Sequence, residues 1–354
     1  MSTEIASIKI TKTEASRIGE VDFDNIPFGK VFSDHMFTME YSDGEWKNFE
    51  ITPFKDLTFS PAISSLHYGQ SIFEGMKAYR RDENIYTFRA KDNFDRLNKS
   101  AERMCMPSIP NKLVMDGLRE LLKVDKNWIP DNESNSLYLR PFMFATDEYV
   151  GIRPSENYKF IIFGCPVGSY YTEPLKVKIE THFTRAANGG VGEAKAAGNY
   201  ASSLYPAKLA KEQGYHQLLW TDSKEHKYIE ESGTMNVMFV IDNVLITPPL
   251  TGTILPGITR KSVLEIAKDW GYKVEERQIT VDEVIAAAKN NTLQEAFGVG
   301  TAATIAQIEV IGHERTNYQL PAIKEREISN KLLNFLNRIK RGLEDDKWGW
   351  IEKI

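Results

Sequence analysis

The sequence predicts a two-domain protein of mixed α/β (α+β) class. Its 354 residues suffice for two domains of ordinary size, and 42% hydrophobic with 26% charged residues is a globular composition. Strand-like alternation and helical periodicity interleave along the chain, with no internal repeat. The stretch PVGSYYTEPL has two prolines, one glycine and no periodicity. We therefore place an interdomain linker at 170–175, between an N-terminal α/β domain over 1–169 and a larger C-terminal domain over 176–354.

The first half contains signals for both kinds of element. Alternation of large apolar and polar residues over 32–41 predicts a strand, and Asp43-Gly44 offers a hairpin turn. An apolar stripe predicts a helix over 92–105 with Asp92 as its cap, and a second helix is expected over 112–126. Strand-like runs follow at 137–145 and 158–165.

The second half repeats this mixture. We expect strands at 176–183, 216–221 and 235–248, and helices at 203–214, 259–270 and 325–341. Pro206 belongs in the first turn of its helix or kinks it.

Bulk properties exclude several classes of partner. The net charge is −5 with no block of lysine or arginine, so we expect no nucleic-acid or membrane-surface partner. No apolar run approaches the roughly 20 residues that span a bilayer. The six histidines are scattered and the two cysteines, Cys105 and Cys165, lie among apolar residues. We expect a cytoplasmic protein without a metal, in which both thiols pack as small hydrophobes.

The most informative residue is Lys195, which lies in the small-residue segment GGVGEAKAAGNYASS (189–203). Such neighbours leave room for a flat carbonyl cofactor beside the ε-amine. A nucleophilic lysine needs its pKa lowered from about 10.4. The segment by itself also fits a flexible surface loop with an ordinary lysine. It is not a nucleotide-binding P-loop, because no G-x-x-x-x-G-K-[ST] spacing occurs.

Two further segments could bind an anion. In ILPGITRKSVLEIA (254–267), Pro256-Gly257 precedes a helix whose first amides, at 257–259, could face a phosphate. The alternative is a simple capped helix start. In VGTAATIAQI (299–308), the Gly300-Thr301-Ala302 turn could donate amides and a hydroxyl. Its alternative is a tight turn between core elements.

Two charged residues have both an ordinary and a functional interpretation. Glu231 enters the strand of IEESGTMNVMFV (229–240) and by default is solvated. Buried against a pyridine nitrogen, it would hold that nitrogen protonated and make the ring an electron sink. Arg96 lies off the apolar stripe of its helix and by default is a surface residue. As a phosphate clamp it would be bidentate and permanently charged.

Taken together, these segments resemble the branched-chain aminotransferases, a family of pyridoxal-phosphate enzymes of fold type IV. The resemblance runs from about residue 28 to the end of the chain. It rests on six motifs in the family's order: FGKVFSDHMF (28–37), LHYGQSIFEGMKAYR (66–80), SLYLRP (136–141), GVGEAKAAGNY (190–200), ESGTMN (231–236) and LPGITR (255–260).

The resemblance implies a two-domain enzyme with pyridoxal 5′-phosphate between the domains. Lys195 would be the Schiff-base lysine and the proton-transferring base. Tyr200 would bond the phenolic oxygen of the cofactor and Glu231 its ring nitrogen. The implied phosphate ligands are Arg96, the amides of Ile258 and Thr259, and Thr301. The implied substrate pocket is lined by Phe28, Tyr68, Tyr138, Tyr170 and Thr234, with Ala302 at the α-carboxylate and Arg140 at the side-chain carboxylate of glutamate.

The resemblance also implies the reaction and the assembly. The substrates would be leucine, isoleucine, valine, glutamate and their 2-oxo acids. The chain would form a homodimer in which Ile152, in the exposed apolar loop ATDEYVGIRP (145–154), helps to close the partner's pocket. The mammalian C-x-x-C pair is absent, since those positions are Ala303 and Ala306.

Alternatives remain at this stage. D-amino-acid aminotransferase and aminodeoxychorismate lyase also use a Schiff-base lysine and a glutamate at the ring nitrogen. They are expected to lack LHYGQSIFEG and SLYLRP in this form. A non-catalytic phosphate-binding protein would leave Lys195 and Glu231 without a role.

Overall fold

A computed structural model describes residues 7–168, 170–171 and 173–354. The chain divides into two compact units. The first contains residues 1–170, 194–197 and 339–354, and the second contains residues 171–193 and 198–338. The long N-terminal run of the first unit ends at Tyr170, and the second unit begins at Tyr171. The short segment around Lys195 and the C-terminal tail differ from the expectation, because both pack with the first unit.

The helices alternate with strands along both units. They are α1 (Ser64–Tyr68), α2 (Ala90–Arg103), α3 (Asn111–Val124), α4 (Ala197–Ala201), α5 (Leu204–Glu212), α6 (Ile258–Asp269), α7 (Val281–Lys289) and α8 (Ile328–Ile339). Short 3-10 turns lie at Ile18–Glu20, Lys126–Trp128 and Ile323–Glu325.

The first unit is built on one nine-stranded sheet. Its strands up to the linker are β1 (Lys9–Ile10), β2 (His35–Ser42), β3 (Glu45–Pro53), β4 (Ser71–Phe73), β5 (Met76–Arg81), β6 (Asn84–Phe88), β7 (Ser136–Ala145) and β8 (Tyr158–Val167).

The second unit has its own nine-stranded sheet. Its strands are β9 (Leu175–Ile179), β10 (Gln217–Thr221), β11 (Ile229–Ser232), β12 (Met235–Ile241), β13 (Val244–Thr247), β14 (Lys273–Glu276), β15 (Leu293–Gly300), β16 (Thr304–His313) and β17 (Thr316–Gln319). The last strand of the chain, β18 (Ile351–Lys353), returns to the first unit and pairs with β6.

In the first unit the strand order is β1-β3-β2-β8-β7-β5-β6-β18, and β4 pairs with β7. Helices α2 and α3 bury their apolar stripes in the core that includes Phe37 and Phe160. The predicted hairpin is confirmed: β2 and β3 are joined at Asp43 and Gly44, which have φ values of 56° and 82°. Both residues tolerate this left-handed region.

Helix α2 begins two residues earlier than predicted, and Asp92 is not its cap. The capping position is held by Arg89 in the left-handed conformation, with φ 52° and no side-chain cap bond. Asp92 instead forms an ion pair with the Arg89 guanidinium. The prediction was wrong because it took the first polar residue before the stripe as the cap.

In the second unit the order is β11-β10-β9-β16-β15-β12-β13-β14, with β17 beside β16 and an additional pairing of β11 with β12. The run predicted as one strand over 235–248 is two, β12 and β13, joined by Asp242 and Asn243 at positive φ. Pro206 lies in the first turn of α5, as predicted.

The two cysteines differ in environment. Cys165 is buried in β8, whereas Cys105 is exposed, so the expectation that both pack as small hydrophobes is wrong for Cys105. Cys105 follows the end of α2 with φ 54°, outside the apolar stripe of that helix. None of the helices in the described ranges is both long and apolar enough to cross a membrane.

Candidate active site

The backbone of Lys195 is fixed on both sides, so the flexible-loop interpretation of this segment is wrong. The Lys195 amide donates to Ser100 Oγ at 2.9 Å, and its carbonyl accepts from the Phe73 amide at 3.0 Å. Ala196 forms an antiparallel bridge with Ile72, and both are buried. The side chain itself is half-buried. A short segment on both sides of Lys195 is thus held like an extra strand.

The ring of Phe73 contacts both Lys195 and Arg140, the cation expected to bind the side-chain carboxylate of glutamate. Lys195 Nζ lies 4.9 Å from the centre of the Phe73 ring, and the Arg140 guanidinium carbon lies 4.5 Å from it. Arg140 also donates to the Tyr138 hydroxyl at 3.1 Å. Its Nε is buried without a hydrogen-bond partner among the described residues. Such a group can accommodate an added anion.

Aromatic rings extend this cluster in the first unit. The ring of Phe28 packs edge-on against Tyr138, with centres 5.5 Å apart, and against Tyr170 at 4.7 Å. These rings form a wall with apolar area and hydroxyl tips, as a pocket for branched aliphatic chains requires. Tyr68 and Ile152 are not buried with this group. They lie on the surface, 43% and 92% exposed.

Arg96 is buried, contrary to its default interpretation as a surface residue. Its Nε and Nη2 donate to the two carboxylate oxygens of Glu74 at 2.7 and 2.9 Å. Glu74 is fully buried and directly follows Phe73. Arg96 and Ser100 are four residues apart on α2, so they share a helix face. One helix therefore orients both the arginine and the Lys195 backbone.

In the second unit, Glu231 is 3% exposed and surrounded by donors. Its Oε1 accepts from Asn236 Nδ2 at 2.9 Å and from the Leu255 amide at 3.1 Å, and its Oε2 lies 2.9 Å from Arg185 Nε. Donors of this kind favour the ionised carboxylate. The solvated interpretation of Glu231 is therefore wrong.

The adjacent carboxyl, Glu230, has a different environment. It accepts from the Thr253 hydroxyl at 2.6 Å, while its other oxygen is buried without a partner among the described residues. Burial raises the pKa of Glu230, against the opposing effects of Thr253 and Arg185. Adjacent strand residues face opposite sides of a sheet, so the Glu230 and Glu231 carboxyls point to opposite faces of β11.

The start of α6 lies beside Glu231. Gly257 occupies the capping position with no side-chain bond to the first turn, and a Cβ there would collide with the Asn236 amide oxygen that borders Glu231. The amides of Ile258 and Thr259 begin this twelve-residue helix, and Thr259 is buried. The amides of a helix start can bind a phosphate, and a buried carboxylate beside them can hold a protonated ring nitrogen. The two together suit a ligand that has both groups.

Strand register brings the remaining predicted residues of the second unit to the same sheet end. Asn236 of β12 pairs with both Glu231 of β11 and Val299 of β15. The turn with Thr234 and the turn with Thr301 and Ala302 follow directly from these strands. Thr234 is exposed, whereas the residues of the other turn are half-buried. Tyr200 is half-buried in α4.

The donor set fits pyridoxal phosphate. Within the second unit these donors are a helix start without a side-chain cap, threonine hydroxyls and a buried carboxylate that itself accepts from two donors. Sequence reasoning missed several supporting residues: Phe73, Glu74, Ser100, Arg185 and Asn236. Phe73, Glu74 and Asn236 lie inside the recognised motifs, and that position is the one signal that could have indicated them.

Comparison with known proteins identifies the family of this chain. Residues 71–311 match the amino-transferase class IV family. Branched-chain-amino-acid aminotransferase 2 of Bacillus subtilis (strain 168) is 44% identical, covering 100% of this chain and 98% of that protein.

Solved structures show the same fold. A branched-chain aminotransferase from Thermoproteus uzoniensis with norvaline has a TM-score of 0.75 at 27% identity, covering 90% of this chain and 99% of that one. The T.th. branched-chain aminotransferase with pyridoxamine 5′-phosphate has a TM-score of 0.73 at 25% identity, covering 89% and 97%. The predicted mixed α/β, fold-type-IV architecture is confirmed. The chain therefore belongs to the class IV aminotransferases, and within them to the branched-chain aminotransferases.

Proposed function

We propose that this protein transfers amino groups reversibly between leucine, isoleucine or valine and 2-oxoglutarate, with pyridoxal phosphate bound to Lys195. The T.th. relative contains pyridoxamine 5′-phosphate and the Thermoproteus uzoniensis relative contains norvaline, which supports the cofactor and the class of substrate. When bound, the cofactor supplies an aldehyde for the amine and a ring that withdraws electrons.

In the first unit, Lys195 is the group that moves the proton at the substrate Cα. Its fixed backbone limits the positions of the ε-amine, and a positioned base contributes most to proton transfer. Phe28, Tyr138 and Tyr170 contact the aliphatic side chain, together with Tyr68. Arg140 receives the side-chain carboxylate of glutamate, for which its charged donors are suited.

In the second unit, Glu231 holds the proton at the ring nitrogen. Its donors keep the carboxylate ionised and fixed in direction. Tyr200 bonds the phenolic oxygen. The phosphate is bound by the Ile258 and Thr259 amides and Thr301, while Thr234 and Ala302 contact the substrate. For Arg96, which lies in the first unit, phosphate binding is the role that the family resemblance implies.

The observation that carries the proposal is that Ser100 and Phe73 hold the Lys195 backbone through hydrogen bonds. Lys195 Nζ also lies 4.9 Å from the centre of the Phe73 ring, and the Arg140 guanidinium packs on the same ring. The test is an exchange assay with L-leucine and 2-oxoglutarate, with D-alanine as the contrasting donor. Lys195→Ala is expected to lose exchange while remaining folded, because its backbone bonds do not use the side chain. Retained exchange in that variant, or a preference for D-alanine, would overturn the assignment.

The same proposal includes a homodimer. Tyr149, Val150 and Ile152 are 45%, 67% and 92% exposed in one loop, and a second copy of the chain would cover this apolar group. Sedimentation is expected to give a dimer at assay concentrations. A fully active monomer would contradict it.

A further inference from the structure

A second cation lies on the sheet face that carries Arg140. Lys77 of β5 is directly opposite Tyr138 of β7, and Tyr138 is directly opposite Cys165 of β8. Directly opposed residues of neighbouring strands share a face, so Lys77, Tyr138 and Cys165 form one row. Arg140 lies two residues beyond Tyr138 on the same face and donates to its hydroxyl at 3.1 Å.

The Cys165 thiol is influenced by both Arg140 and Lys77. Burial raises the pKa of Cys165 to about 11, and the charges of Arg140 and Lys77 both act in the opposite direction. The Gly29 amide donates to the same thiol, and Gly29 follows Phe28, whose ring packs on Tyr138. Both cations are therefore close enough to the Cys165 thiol, which lies opposite Tyr138 in the sheet, to act on it electrostatically.

Lys77 itself is held among cations. Its side chain is half-buried, and burial together with the Arg341 charge lowers the pKa of Lys77 to about 8, with the Cys165 thiol opposing. Lys340, 3% exposed, is a further neighbour, since Lys77 contributes to the lowering of its pKa. A carboxylate that arrives beside two cations in a poorly hydrated position is bound more strongly than in water.

We propose that Lys77 is a specificity-determining residue, whose ammonium joins Arg140 in receiving the side-chain carboxylate of a dicarboxylic substrate such as glutamate. This inference rests on the proposed function, in which one pocket binds leucine and glutamate in turn. An arginine stays charged with either substrate. Lys77 keeps its proton below about pH 8 and loses it above, so its part in binding the carboxylate depends on pH, unlike that of an arginine.

Substrate selectivity tests this role. We compare kcat/KM for glutamate and for leucine with a shared monocarboxylic acceptor, 2-oxoisovalerate, in the wild type and in Lys77→Met. Loss of one charge-assisted contact is expected to lower the glutamate-to-leucine ratio about tenfold or more, through KM for glutamate. The leucine value is expected to change by less than about threefold, because methionine keeps the apolar stem.

Lys340→Met is the matched control. It also removes a buried amine from the cluster, but Lys340 lies over Phe88, with Nζ 5.3 Å from the ring centre, and not in the row with Tyr138. Its glutamate-to-leucine ratio is expected to equal that of the wild type. An equal fall in both variants would show a general effect of buried charge and overturn the specific role of Lys77.

The pH dependence of the same ratio gives a second measurement. Among the described residues, the charged and titratable groups near Lys77 include Arg341 and Lys340 from the C-terminal segment, Tyr138 and Arg140 from β7, and Cys165 from β8. The arginines keep their charge between about pH 7 and 9. The wild-type ratio is expected to fall as pH rises through about 8, where Lys77 loses its proton. The step should persist in Lys340→Met and vanish in Lys77→Met.

The outcomes separate the two proposals. A wild type that uses glutamate, with an unchanged ratio in Lys77→Met and no step with pH, would overturn the role of Lys77 and leave the proposed function intact. A wild type that uses leucine but no dicarboxylic substrate at any pH would overturn the co-substrate in the proposed function.

Discussion

The ion pair of Glu74 and Arg96 offers a quantitative test of how the first unit is held. The side chains are 0% and 7% exposed, and two parallel bonds of 2.7 and 2.9 Å join them. Glu74→Gln keeps the shape but removes the charge that compensates the guanidinium. Removing one partner of a buried pair costs about 3–5 kcal/mol, because the other charge stays buried. We expect a loss at the lower end of this range, since glutamine can still accept one bond.

The double variant Glu74→Leu, Arg96→Met distinguishes an uncompensated charge from a loss of packing. Replacing both partners by apolar residues is often neutral, so most of the loss should be recovered. Glu40→Gln is the matched control, because its 2.8 Å pair with Lys159 is partly solvated, with side chains 44% and 20% exposed. Such a pair contributes about 0–1 kcal/mol.

Urea unfolding of the cofactor-free protein, followed by tryptophan fluorescence, measures these differences. A stability change appears as a shifted midpoint with an unchanged slope. The reasoning fails if Glu74→Gln costs no more than Glu40→Gln, or if the double variant is as unstable as the single one. Since Arg96 is also a proposed phosphate ligand, omitting the cofactor keeps the two roles apart.

Three further predictions concern single groups. Glu231→Gln is expected to bind cofactor and lose most of its rate, at least about tenfold, because an amide stabilises the protonated ring nitrogen poorly; a near-normal rate of Cα deprotonation would contradict this. Burial raises the pKa of Glu230, so its ionisation opposes folding above that pKa and not in acid, where it is protonated in both states. Glu230→Gln should therefore stabilise by roughly 1–3 kcal/mol at about pH 8, with the gain fading toward about pH 4 in thermal unfolding scans. Mild peroxide is expected to modify exposed Cys105 before buried Cys165 without rapid loss of activity, and mass spectrometry with a parallel assay checks both.

Local patterns in the sequence predicted the elements well, because helix stripes and turn residues depend on neighbours in the chain. The hairpin at Asp43 and Gly44 follows from the backbone freedom of those residues. The start of α2 was misplaced because the left-handed cap at Arg89 has no such local signal. Cys105 was misjudged for a related reason: apolar neighbours in sequence do not fix the burial of the residue that follows a helix.

The sequence by itself determined the family, since six motifs in a fixed order are a property of the chain alone. It also determined which residue types could do the chemistry, with Lys195 and Glu231 foremost. Only the tertiary structure decided which groups surround them: Ser100 on the Lys195 amide, and Arg185 beside Glu231. These contacts join residues far apart in the chain. They depend on strand register and helix packing, which many weak interactions determine together and no short stretch of sequence encodes.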